Sequence, residues 1–98
     1  MIVSVTRWQN ADDVATRVRD VAPLLREAGA TRITFGRILT GEQTGQAVTT
    51  ASYPDFAAFG KAMGSLAANP QYQKLHNDTI KSAVLLNRTV TVVDEITA

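Results

Sequence analysis

The sequence has no cysteine among its 98 residues. That excludes disulfides, a thiolate nucleophile, and zinc or iron–sulfur sites built on cysteine. Histidine is nearly as scarce, with His76 the single one, and aromatic residues make up only 6% of the chain, with Trp8 the lone tryptophan. An excess of one charge is missing too. Ten Lys and Arg against nine Asp and Glu leave a net +1, too little for an electrostatic grip on nucleic acid. No five like charges run together, so there is no basic arm or acidic tail. No apolar run approaches the roughly 20 residues of a membrane span. The opening MIVSVTRW has no positive region ahead of its short apolar run and reads as a strand rather than a signal peptide. A soluble, cytoplasmic protein without nucleic-acid or membrane partners is the expectation.

What is present spells one domain over residues 1–98, since a chain this short does not divide into two cores. IVSVTRW (2–8) is β-branched and extended. Asn10 is placed to cap a helix with Asp12 and Asp13 in its first turn. Val14, Val18, Val21 and Leu25 recur at helical spacing, opposite Arg17, Arg19 and Arg26, and Gly29 ends the pattern. Pro23, inside it, predicts a kink or a restart. Residues 31–40 and 46–53 read as strands joined by the glycine-flanked GEQTG, which lacks the lysine and following helix of a phosphate loop. Pro54 and Asp55 open a second helix with Phe56, Phe59, Met63 and Leu66 on one stripe. Asn69–Pro70 interrupts it and starts another turn or two carrying Tyr72, Leu75 and His76. A strand over 84–96 closes the chain.

The order β-α-β-β-α-β predicts an α+β, ferredoxin-like domain, a four-stranded antiparallel sheet with two helices on one face. Alternation assigns Val3, Val5, Ile33, Phe35, Ala47, Ala51, Val90 and Val92 to the helix-covered face. The other face then takes Ile2, Ser4, Thr6, Trp8, Thr34, Gly36, Ile38, Val48, Thr50, Ser52, Thr89, Thr91 and Val93. That second set is threonine-rich and poor in charge, so a homodimer burying it is expected, with Trp8 either an anchor at the seam or a wall of a ligand pocket.

This order, the threonine-rich face and the helix ending LAANPQYQKL resemble the dimeric α/β barrel superfamily. Its members include antibiotic-biosynthesis monooxygenases, haem-degrading monooxygenases, NIPSNAP-type proteins and stress-responsive barrel proteins. The resemblance spans essentially the whole chain. It implies two ferredoxin-like subunits packed sheet to sheet, with a cavity between sheet and second helix or inside the barrel, and in many members no cofactor. In the haem-degrading relatives a His near the end of this helix is the iron ligand, and His76 matches that location. Their Trp on the helix and Asn on the first strand have no counterpart here, which speaks against haem degradation and leaves His76 as the one route to haem binding. Other families of this order fit worse. The third strand lacks the aromatics of an RNA-recognition module, and WQNADD runs acidic where an acylphosphatase-like protein needs a phosphate cradle.

His76 reads either as the polar end of a helix or as a base at a cavity rim, being the one side chain whose unperturbed pKa lies near neutrality. Tyr72, one turn before it, is its candidate catalytic partner, and Trp8, Tyr53, Phe56, Phe59 and Met63 are the candidate pocket. Gly60 and Gly64 either allow close helix packing or leave room for a ligand. Of Arg7, Arg37 and Arg88, one beside the cavity would hold an anionic substrate. His76 and Asp78 are poorly spaced for a metal pair, no HExxH or Ser-His-Asp pattern exists, and no metal site is expected. The leading function is a cofactor-independent enzyme of monooxygenase or isomerase type acting on a small hydrophobic or aromatic molecule. A non-catalytic binder of a hydrophobic metabolite or haem, and a structural or accessory dimer, stay open beside it.

Overall fold

Each helix starts on a short polar side chain. In the computed structural model, which describes residues 1–94 and 96, β1 (Ile2–Trp8) leads into α1 (Ala11–Ala28), where Asn10 Oδ1 accepts from the amide of Asp13. Gly29 ends that helix at φ 124°, a conformation that costs a side-chain-bearing residue strain. β2 (Arg32–Arg37) and β3 (Ala47–Tyr53) follow. Asp55 then caps α2 (Phe56–Ala67) through the amide of Ala58 at 2.8 Å. Asn69 caps α3 (Pro70–Ala83), its Oδ1 accepting from Gln71 and Tyr72 at 3.0 and 3.2 Å. β4 (Leu85–Val92) completes the sheet.

Two expectations about helices change. α1 runs unbroken through Pro23. Pro23 and Arg19, whose carbonyl loses its donor there, are both exposed, so water can take the missing bond. The expected turn or two after Asn69 is instead a helix of 14 residues, longer than the 12 of α2. An asparagine cap with proline at the first helical position is a full start signal, and the break lets α3 take its own direction. The closing strand is shorter than expected, 85–92 rather than 84–96, and Glu95 lies outside the described residues.

The strands pair antiparallel in the order β2-β3-β1-β4, the sheet of a ferredoxin-like domain. Register corrects the face assignment of β1. Ile2 lies opposite Tyr53 and Val92, Ser4 opposite Ala51 and Val90, and Thr6 opposite Thr49 and Arg88. These residues share the helix-covered face. Ile2, Thr6 and Trp8 are 2, 4 and 5% exposed, and Trp8 packs against Ala11 and Val14 of α1. Val3, Val5 and Arg7 therefore belong to the open face, with Val48, Thr50, Ser52, Thr89 and Thr91. Both alternate sets of β1 are about equally apolar, so alternation alone had no means of choosing between them.

The core is built largely from small residues. One cluster joins Ile2, Ala30, Ala51, Tyr53 and Ala62, and a second joins Trp8, Ala11, Val14, Ala47 and Ala83. Alanines in so many central places leave the helices and the sheet short of contact, and a cavity lies there.

Candidate active site

The cavity, about 180 Å³, draws its walls from both core clusters. Tyr72 and His76 reach it from α3, where a separation of four residues puts them on one side of the helix. Their rings stack with centroids 5.4 Å apart and planes 10° from parallel. Trp8 stands edge-on to His76 at 6.3 Å and 81°. Its indole Nε1 donates to Thr49 Oγ1 at 3.0 Å, which fixes the ring. Tyr53 and Phe59 form a second edge-on pair at 5.5 Å, and Met63 adds a sulfur from α2. Arg88 comes in from β4, its Nε donating to Thr6 Oγ1 at 2.8 Å.

Electrostatics follow from this packing. Burial, with the Arg88 charge adding to it, lowers the pKa of His76 below 6.5 and keeps the imidazole neutral near pH 7. Burial raises the phenol of Tyr72, against a smaller lowering by Arg88. Tyr53 is raised by burial and then by neighbouring Tyr72, again offset by Arg88. At neutral pH the site holds a neutral acceptor, two protonated phenols and a fixed cation.

Of the seven side chains singled out from sequence, the structure brings His76, Tyr72, Trp8, Tyr53, Phe59 and Met63 to one cavity. Phe56 does not join them. It is 65% exposed at the first turn of α2, where the stripe has not yet reached the sheet. Trp8 at a dimer seam is corrected as well: it lies beneath the helices, the pocket-wall alternative. Gly60 and Gly64 are exposed, line no part of the cavity, and a Cβ on either would meet no atom within 4 Å. Neither close packing nor ligand space explains them. Arg17, which the sequence pattern places on the solvent side of α1, instead lines the cavity. Its signal is its place one turn after Val14, at the margin of the apolar stripe rather than opposite it.

A family model described as a domain of unknown function, DUF6854, matches residues 2–91. The chain belongs to the DUF6854 family. No curated protein matches its sequence significantly. Solved structures match its fold. An uncharacterized NIPSNAP domain protein from Burkholderia xenovorans superposes with a TM-score of 0.77 at 14% identity, over 100% of this chain and 99% of that one. SnoaB, a cofactor-independent oxygenase from Streptomyces nogalater, gives 0.73 at 15%, over 97% and 94%. A dimeric ferredoxin-like protein from an uncultured marine organism gives 0.60 at 18%, over 96% and 97%. At such identities the likeness is one of fold, and it is the fold the sequence resemblance implied.

His76 is flanked by Tyr72 and Trp8, which limits the approach of a haem iron to its imidazole. At about 180 Å³ the cavity is close in size to one that holds benzene, roughly 150 Å³. Among the described residues no group of three or more His, Asp or Glu could hold a metal ion, and no helix is long and apolar enough to cross a membrane.

Proposed function

We propose that this chain is a cofactor-independent enzyme of oxygenase or isomerase type acting on a small, largely apolar aromatic molecule, with His76 as its base. The observation that carries this is the Tyr72–His76 stack facing an apolar cavity with the imidazole held neutral. A neutral imidazole accepts a proton from an acidified C–H or O–H of the bound substrate and becomes imidazolium. The protonated phenols of Tyr72 and Tyr53 donate hydrogen bonds to the oxygen on which the resulting negative charge spreads. In isomerisation the proton returns to another carbon; in oxygenation dioxygen is the co-reactant and takes the electrons of the carbanion. The walls are largely apolar, so a hydrogen bond from either phenol to the forming oxyanion is stronger there than in bulk water.

The working unit in this proposal is a homodimer closed over the open sheet face. That face offers Val3, Val5 and Val48 with a run of threonines, and the hydroxyls of Thr34 and Thr50 bond each other. Arg7, on the same face, has a buried Nε with no hydrogen-bond partner among the described residues. A second copy would supply both apolar cover and an acceptor.

Purified protein incubated with enolisable small aromatics in D₂O, with and without dioxygen, tests the chemistry. The expected result is exchange or turnover that falls by about 10²–10⁴ in His76→Ala, with the oligomeric state and melting temperature nearly unchanged. Equal rates in wild type and His76→Ala would remove His76 from the mechanism. Saturable binding without turnover would make the protein a carrier of the same molecules.

A further inference from the structure

The charge in the cavity has one sign. Arg88 and Arg17 line it, and among the described residues no Asp or Glu does. The one ion pair among the described residues joins Arg37 to Asp12, and neither of those lines the cavity. Arg88 is also held in place. Its Nε is fixed by the hydroxyl of Thr6, a residue 4% exposed, and no bond to its two terminal nitrogens is formed among the described residues. A guanidinium tethered through Nε presents those nitrogens as a fork, a shape that matches the two oxygens of a carboxylate. Elsewhere the cavity is lined largely by apolar side chains, among them Val14, Val18, Val21, Leu25, Ile33 and Phe59. The volume, about 180 Å³, exceeds by little the roughly 150 Å³ of a cavity that takes benzene.

We infer that the site accepts a small apolar carboxylate on the scale of a single aromatic ring, its acid group seated on the Arg88 fork and its body in the apolar cavity, with Arg17 completing the counter-charge. The inference rests on the reading of this cavity as a small-molecule site and narrows it, since a neutral ring system would make no use of the oriented guanidinium at its edge. Thr6 acts here as a positioning residue. Binding would also retune the base. Arg88 adds to the lowering of His76's pKa, and a carboxylate on Arg88 cancels that influence, so the occupied site makes His76 the stronger proton acceptor. The other titratable or charged groups that line the cavity with His76 are Tyr72 on its own helix, Tyr53 on β3 and Arg17 on α1.

The chain carries its own probes: Trp8 is its one tryptophan and His76 its one histidine, and both line the cavity. Titrating the intact protein with benzoate and with benzamide, a neutral analogue of nearly the same shape, reads indole fluorescence and, by NMR, the pKa of the lone imidazole. Benzoate should quench saturably, bind about tenfold or more tighter than benzamide, and raise the His76 pKa, which benzamide should leave in place or lower by burying the imidazole further. Arg88→Gln should bring benzoate down to the level of benzamide without changing benzamide itself. Thr6→Val should lose part of the preference. If either variant fails to fold, the comparison on the unaltered protein decides by itself. Equal affinity for acid and amide overturns the inference and leaves the proposed function standing. Binding of neither, nor of phenylacetate and its amide, overturns both.

Discussion

Replacing Gly60 and Gly64 with alanine is expected to stabilise the protein and leave its cavity untouched. Both glycines lie inside α2, and neither has a positive φ that would favour glycine. A Cβ at either finds open space within 4 Å, so no clash offsets the gain. Glycine in a helix interior costs roughly 0.5–1 kcal/mol relative to alanine, through the larger conformational freedom it surrenders on folding. The two sites share no neighbour a methyl would touch, so the effects should add to about 1–2 kcal/mol. For a domain near this size each kcal/mol moves the melting temperature by about 4–8 °C, and the double variant should melt roughly 4–16 °C higher. Thermal unfolding by circular dichroism measures it, with benzoate affinity as the control. Unchanged or lowered melting would show that the outer face of α2 is not free and that a partner or a required bend claims it. Stabilisation with lost ligand affinity would refute the separation of the glycines from the site.

Other expected outcomes concern the open face, the lone imidazole and one strained valine. Val5→Lys should raise the dimer dissociation constant by about 100-fold or more, because it places an unpaired ammonium beside Arg7 in the proposed seam; sedimentation of wild type as a monomer at micromolar concentration would dismiss the seam altogether. His76, with its folded pKa below the 6.5 of an unfolded histidine, lets the unfolded chain take up a proton first as pH falls. Its contribution is therefore complete above about pH 6.5 and lost as pH drops through the folded value. Denaturant unfolding of wild type against His76→Gln between about pH 7 and pH 5 should show a slope that the variant lacks. Val84, between α3 and β4, sits at φ 58°, a conformation poor for a β-branched residue, and Val84→Gly should stabilise by about 1 kcal/mol; a clear loss in denaturant titration would mean the valine's packing outweighs its strain.

Element order, sheet and most of the pocket were legible because each rests on a local signal. Caps at Asn10, Asp55 and Asn69 mark helix starts whatever surrounds them, and Tyr72 with His76 at helical spacing must share a side once α3 forms. The parity of β1 was not legible. Ile2-Ser4-Thr6-Trp8 and Val3-Val5 are both tolerable inside, and only pairing with β3 and β4 decides. The same error put Trp8 at the seam. The glycines of α2 pointed to a pocket in which they take no part; its cause is the alanine-rich core, a property of volumes across several elements. Arg88 stood among three arginines of equal standing, and it is the register Thr6–Arg88 that lifts it out.

The far half of β4 carries a consequence for kinetics. Arg88 and Val90 line the cavity from that edge strand and are exposed, as is Met63 across from them on α2. The opening is thus framed by regular secondary structure, with no loop among these three residues to swing shut. Among the described residues nothing then gates exchange with solvent. Capture should proceed at the ordinary diffusional pace of an open surface, and discrimination among molecules should reside in how long each one stays.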